Sequence, residues 1–161
     1  MQKNNFINSA LKVIQIEGKA ILGLQDQIEE TFNDLCLNII ATKGKLILMG
    51  IGKSGHIAQK ISATLSSTGT PSFFIHPTEA AHGDLGMIDK KDAILILSNS
   101  GETKEIIEIL PALKRSAGSI FTITNNAGST IAKIGDIHIL IKVDEEACPL
   151  DLAPTSSTTL A

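Results

Sequence analysis

Two short stretches of this 161-residue chain have the residue types and spacing to hold an anion. The first, Gly50-Ile51-Gly52-Lys53-Ser54-Gly55, ends an apolar run and opens a helical pattern. The second, Ser98-Asn99-Ser100-Gly101-Glu102-Thr103, does the same after the run at 93–97. Backbone N–H groups at a helix start have no intrahelical partner, and the helix dipole favours negative charge there. The hydroxyls of Ser54, Ser98, Ser100 and Thr103 add neutral donors. Several such donors converging from two helix starts can hold a phosphate monoester without an arginine. Each turn by itself also reads as an ordinary helix cap, with Asn99 and Glu102 forming a capping box in the second.

Other phosphate readings fit less well. A triphosphate loop ending in Gly52-Lys53-Ser54 needs a glycine five positions before Gly52, and Ile47 stands there. A dinucleotide fingerprint Gly50-x-Gly52-x-x-Gly55 needs an acid about 20 residues on to hold a ribose. The second apolar run instead ends in Phe73-Phe74-Ile75-His76-Pro77, with His76 near that place.

The surrounding pattern says what must position these turns. From 4 to about 42, Phe6, Ile7, Leu11, Ile14 and then Ile28, Phe32, Leu35, Ile39 recur at helical spacing, with Gly18 and Gly23 near a break. Apolar runs at 46–51, 72–75, 93–97, 120–124 and 137–143 then alternate with helical stretches and lack strict alternation, as strands buried on both faces do. The expected fold is α/β: a three-layer, doubly wound, five-stranded parallel sheet over 43–161, with a helical segment at 1–42 packed on it. In such sheets ligands bind beyond the carboxyl ends of the strands, so both Ser-Gly turns face the ligand side.

A net charge of -3 without clustered Lys or Arg argues against a nucleic-acid partner. No apolar run approaches the ~18 residues of a membrane span, and Met-Gln-Lys-Asn-Asn-Phe is not a signal-peptide start, so a cytoplasmic location is expected. Cys36 and Cys148, far apart and in no metal-like spacing, are expected as reduced thiols.

Through these two turns the chain resembles the sugar isomerase (SIS) domain superfamily of phosphosugar binders. Longer stretches narrow the likeness: 50–88, including His76-Pro77-Thr78-Glu79-Ala80-Ala81-His82-Gly83-Asp84-Leu85-Gly86, then 98–106, and Glu145-Glu146-Ala147-Cys148-Pro149-Leu150 with its continuation to Thr159. These resemble the arabinose-5-phosphate isomerase family. The resemblance implies interconversion of D-ribulose 5-phosphate and D-arabinose 5-phosphate, the first committed step toward Kdo for lipopolysaccharide. It implies that Ser54, Ser98, Asn99, Ser100 and Thr103 hold the phosphate, while Lys53, His82, Glu105 and Glu146 line the reacting end of the sugar. It also implies a homotetramer with sites shared between chains.

Aldose–ketose isomerisation through an enediol needs a base, a group to stabilise the developing oxyanion, and a shuttle for hydroxyl protons, but no cofactor. Glu146 or Glu105 suits the base if burial raises its pKa toward neutrality. Lys53 suits the oxyanion, and His82 ring opening or proton transfer. The plain alternatives are a solvent or phosphate contact for Lys53, a loop role for His82, and solvated faces for Glu105, Glu108 and Glu146. His76, Glu79, His82 and Asp84 match no standard zinc spacing; no metal is required, and an inhibitory ion at His82 is the most this group suggests.

Relatives of that family continue past the Thr155-Ser156-Ser157-Thr158-Thr159 run with a further helix, a histidine-bearing segment of the site and often a tandem CBS pair, whereas this sequence ends at Ala161. A domain truncated at its C-terminus, incomplete for catalysis and covered by a neighbouring chain, is therefore expected. Asp151 stands where the family usually has Gly, which bears on the loop if that glycine has positive φ. A second reading is a non-catalytic phosphosugar sensor, which keeps the serines and does not need Lys53, His82 or the glutamates. The absence of a basic recognition helix in the first 42 residues weakens its regulator form.

Overall fold

A computed structural model describes residues 6–150 and 152–161; the Asp151 expectation lies outside the described residues. The chain runs α1 (Phe6–Gly23), α2 (Glu30–Ala41), β1 (Leu46–Met49), α3 (Gly52–Ser67), β2 (Ser72–Phe74), α4 (Pro77–Ala81), β3 (Ala93–Leu97), α5 (Lys104–Ser116), β4 (Ser119–Thr124), α6 (Thr130–Ile134), β5 (Ile137–Leu140) and α7 (Ser156–Leu160). Short 3-10 turns occupy Leu24–Asp26 and Asp84–Met87.

The five strands form one parallel sheet in the order β2-β1-β3-β4-β5, the doubly wound arrangement expected. Its register places Leu46 beside Ala93 and Ala93 beside Ser119, so the strand ends are nearly level. Successive side chains point to opposite faces, and both faces are filled. Ile47, Met49, Ile94 and Ile96 pack with Ile106, Ile109, Leu110 and Leu113 of α5. Leu46, Leu48, Leu95 and Leu97 pack with Leu35 of α2 and Ala58 of α3. That is why the central strands β1 and β3 read as unbroken apolar runs: neither of their faces meets water. In α5 the buried residues recur at the spacing that puts them on one helical stripe.

The N-terminal segment breaks near the two glycines. Gly18 lies inside α1, and the break comes at Gly23, followed by the 3-10 turn. Helix α1 buries none of its residues, leaving Phe6, Ile7, Leu11 and Ile14 exposed. Gln27, just beyond the 3-10 turn, reaches across to the end of β5. Its Nε2 donates to the Lys142 carbonyl (3.1 Å), and its Oε1 accepts from the Lys142 N–H (2.7 Å). A side-chain amide thus does for Lys142 what a neighbouring strand would do.

Candidate functional site

The turn after β1 is shaped by two glycines in close approach. A Cβ on Gly50 would stand 2.9 Å from the Ser54 backbone, and one on Gly55 would stand 2.8 Å from the Gly50 carbonyl oxygen. The strand end therefore lies directly against the first turn of α3, and Ser54 sits in that turn beside the strand's carboxyl end. Tight strand–helix packing, rather than a dinucleotide, accounts for these two members of the Gly-x-Gly-x-x-Gly spacing.

The turn after β3 is held by its own hydroxyls. Buried Ser98 accepts a hydrogen bond from the Gly101 N–H at Oγ (3.1 Å), and the Ser98 and Thr103 hydroxyls are hydrogen-bonded to each other at 2.8 Å. Ser100 Oγ accepts from the Glu102 N–H at 3.1 Å. Gly101 has φ +68°, and a Cβ there would collide with the Ser129 side chain, so both its conformation and its surroundings require glycine.

The capping box of the alternative reading is not formed. Glu102 accepts instead from the Thr130 N–H at the start of α6 (2.7 Å), and Thr103 at the start of α5 makes no side-chain cap. Ile51, at the start of α3, makes none either. By contrast, α4 is capped by His76, whose Nδ1 accepts from Thr78 N–H, and α6 by Ser129, which accepts from Ala132 N–H. Among the helices α3 to α6, the two that follow the Ser-Gly turns are the two without a side-chain cap.

Those turns meet at a cavity of about 100 Å³. Lys53 and Ser54 border it from α3, Ser98 and Asn99 from the end of β3, and Thr124 and Asn125 from the end of β4. The position is the carboxyl-end crevice of the sheet, where the strand order reverses between β1 and β3. Ser157 and Thr158 of α7 border it from above. Asn99 and Asn125 also line a neighbouring depression with Asp144, Glu145, Glu146 and Cys148.

Glu146 is committed to the loop that carries α7. Its Oε2 accepts from Thr155 N–H (2.6 Å), Thr155 Oγ1 (2.8 Å) and Ser157 N–H (3.3 Å). Burial pushes its pKa up, but the hydrogen bonds from Ser157 and Thr155 outweigh burial and hold it below the ordinary glutamate value. The expectation that burial lifts this carboxylate toward neutrality is reversed, because the backbone folds donors around the anion.

A model described as SIS domain matches residues 39–161. The chain belongs to the SIS domain family. It is 49% identical over 159 residues to the arabinose 5-phosphate isomerase KdsD of Pseudomonas aeruginosa, covering 99% of this chain and 49% of that protein. Against KdsD of Yersinia pestis the identity is 50% over 155 residues, covering 96% of this chain and 47% of the relative. The chain thus spans about half the length of these curated relatives. The solved structure of E. coli CFT073 c3406 in complex with arabinose 5-phosphate matches with a TM-score of 0.94 at 41% identity, over 99% of this chain and 85% of that one.

In this SIS domain the residues named from sequence separate into groups. Lys53, Ser54, Ser98 and Asn99 border one cavity, and Thr103 stands behind it through Ser98. Ser100 is exposed and engages Glu102. Glu146 lies in the adjoining depression. His82, at the C-terminal end of α4, and Glu105, in the first turn of α5, are exposed, and neither borders the cavity. Among the described residues no three His, Cys, Asp or Glu side chains are grouped to hold a metal ion, and no helix is long and apolar enough to cross a membrane. Neither Cys36 nor Cys148 is joined in a disulfide.

Sequence reasoning missed Thr124, Asn125, Ser157 and Thr158. For the first two the signal was their place at the carboxyl end of a central strand. For the others it was a run of hydroxyls at 155–159. His138 was also missed: its Nε2 lies 3.0 Å from Thr124 Oγ1, and burial pushes its pKa down.

Proposed function

We propose that the protein binds a sugar phosphate in this cavity and belongs to an aldose–ketose isomerase that interconverts D-arabinose 5-phosphate and D-ribulose 5-phosphate through an enediol. The observation that carries the reading is the meeting of the two Ser-Gly turns, each opening a helix without a side-chain cap, at one cavity. Free first-turn N–H groups beside hydroxyls suit a phosphate monoester, and the KdsD relatives, with c3406 in complex with arabinose 5-phosphate, supply the sugar.

Ser54, Ser98 and Asn99 are assigned direct phosphate contacts, with Ser100 and Thr103 shaping the turn. Lys53, at the rim, supplies positive charge to the developing oxyanion. With the Glu146 carboxylate engaged by Thr155 and Ser157 in the loop of α7, the role of base is assigned to Glu105 and that of hydroxyl shuttle to His82. Both are exposed on elements that pack together, α4 and α5, which favours their use in the site of a neighbouring copy within a homotetramer. A phosphosugar-binding core over 43–161 with a helical segment before it is supported by the packing of α1 on α7 and of α2 on β5. The reaction is placed in the cytoplasm, where it would feed Kdo and lipopolysaccharide synthesis.

Conversion of ribulose 5-phosphate followed by NMR in D₂O tests the reading. Arabinose 5-phosphate carrying deuterium at C2 is the expected product, because the enediol takes its proton from solvent. Calorimetric binding without turnover would support the sensor reading instead.

A further inference from the structure

We infer that the Glu102 carboxylate and the Thr130 N–H form a clamp that positions the 98–103 turn for its ligand, an inference that rests on the phosphate reading above. Glu102 is exposed, yet its Oε1 accepts from the Thr130 N–H at 2.7 Å, joining residues 28 apart. Beside it, the Ile131 N–H donates to the Gly101 carbonyl at 3.0 Å. Gly101 and Glu102 are thus both tied to the first turn of α6, and the Ser129 side chain leaves no room for a Cβ on Gly101.

The clamp reaches the cavity through short links. Gly101 N–H donates to Ser98 Oγ, Glu102 N–H donates to Ser100 Oγ, and the Asn99 carbonyl accepts from Asn125 N–H at 2.9 Å. A carboxylate within an anion-binding turn opposes the ligand's charge unless it is directed elsewhere. The Thr130 N–H directs it to α6. Glu102 is therefore a positioning residue: it touches no ligand atom, but it fixes the turn and removes its own charge from the turn's interior.

The N–H can be deleted cleanly. Thr130 is the first residue of α6, where proline is favoured, and Ser129 before it is extended at ψ 160°, as a residue preceding proline must be. Calorimetry with arabinose 5-phosphate on the full chain, with E102A, E102Q, T130P, T130A and the double variant E102A/T130P, tests the clamp. The prediction is that E102A and T130P each weaken binding about fivefold, while the double variant is no weaker than either single, as residues sharing one interaction require. E102Q, which keeps an acceptor, and T130A, which keeps the N–H, stay within about twofold of wild type. Wild-type affinity in E102A, or losses that multiply in the double variant, would overturn the clamp alone. No binding by the wild type would overturn the phosphate reading and the clamp's role with it.

Discussion

At the amino ends of the strands, carboxylates fasten the sheet; at the carboxyl ends, hydroxyls and amides border a cavity. Asp92, just before β3, is buried and accepts from the Lys45 N–H (2.8 Å) and the Asp89 N–H (2.9 Å), with Lys45 Nζ at 3.3 Å. Asp136, just before β5, accepts from the Ile120 N–H (2.8 Å) and from Lys114 Nζ (2.9 Å). Ser54, Ser98, Thr124 and Ser157 stand at the other end. A carboxylate whose oxygens are matched locks a strand start and would repel a phosphate. A hydroxyl can exchange a neighbouring oxygen for a ligand oxygen with little change in geometry. The difference shows where one sheet keeps its rigidity and where it keeps spare donors.

Substituting the amino-end carboxylate should produce the largest effect. Asp92→Ala leaves two backbone donors without their acceptor and is expected to cost about 3 kcal/mol in denaturant unfolding. Affinity of the folded protein for arabinose 5-phosphate should change less than about twofold, since the cavity lies at the opposite end. Ser98→Ala should do the reverse: binding weakened about tenfold by calorimetry, with about 1 kcal/mol of stability lost. A large stability loss with unchanged binding would make Ser98 a purely structural residue. Ser100→Ala should weaken binding only about threefold, because that hydroxyl is exposed and acts within the turn.

Acidification sharpens the contrast further. For Asp92 and Asp136, burial pushes the pKa up, but the hydrogen bonds from Lys45 and Asp89, and from Ile120 and Lys114, outweigh it and leave both below the ordinary value. Folded values below unfolded ones mean stability that is fully present above the ordinary carboxylate range, about pH 4, and lost as pH falls through the lowered values. Thermal midpoints measured from pH 6 downward should therefore fall steeply in acid. Asp92→Asn should flatten that slope; an unaltered slope would assign it to other groups.

The sheet was legible because its strands are apolar on both faces, and the runs at 93–97 and 120–124 coincide with β3 and nearly all of β4. Strand ends were less so. β1 stops at Met49, where Gly50 packs against the Ser54 backbone, and β5 stops at Leu140, short of the run's end at Val143. The Ser-Gly turns could be read locally, since hydroxyls and glycine at a helix start carry their meaning within six residues. The partner of Glu102 could not, because it lies 28 residues away, and a local capping pattern competed for the same side chain. Glu146 escapes a local reading for the same reason: its donors arrive from Thr155 and Ser157 once the loop closes, and they reverse the effect of burial on its charge.

Two turns from different strands that make one anion site must be coupled through the ligand they share. Arabinose 5-phosphate would be titrated calorimetrically into the wild type, Ser54→Ala, Ser98→Ala and the double variant. If both hydroxyls serve the same phosphate, each single substitution weakens binding about tenfold, and the double falls short of the product of the two losses. Tight wild-type binding that neither substitution alters would place the ligand elsewhere and rule out a shared site.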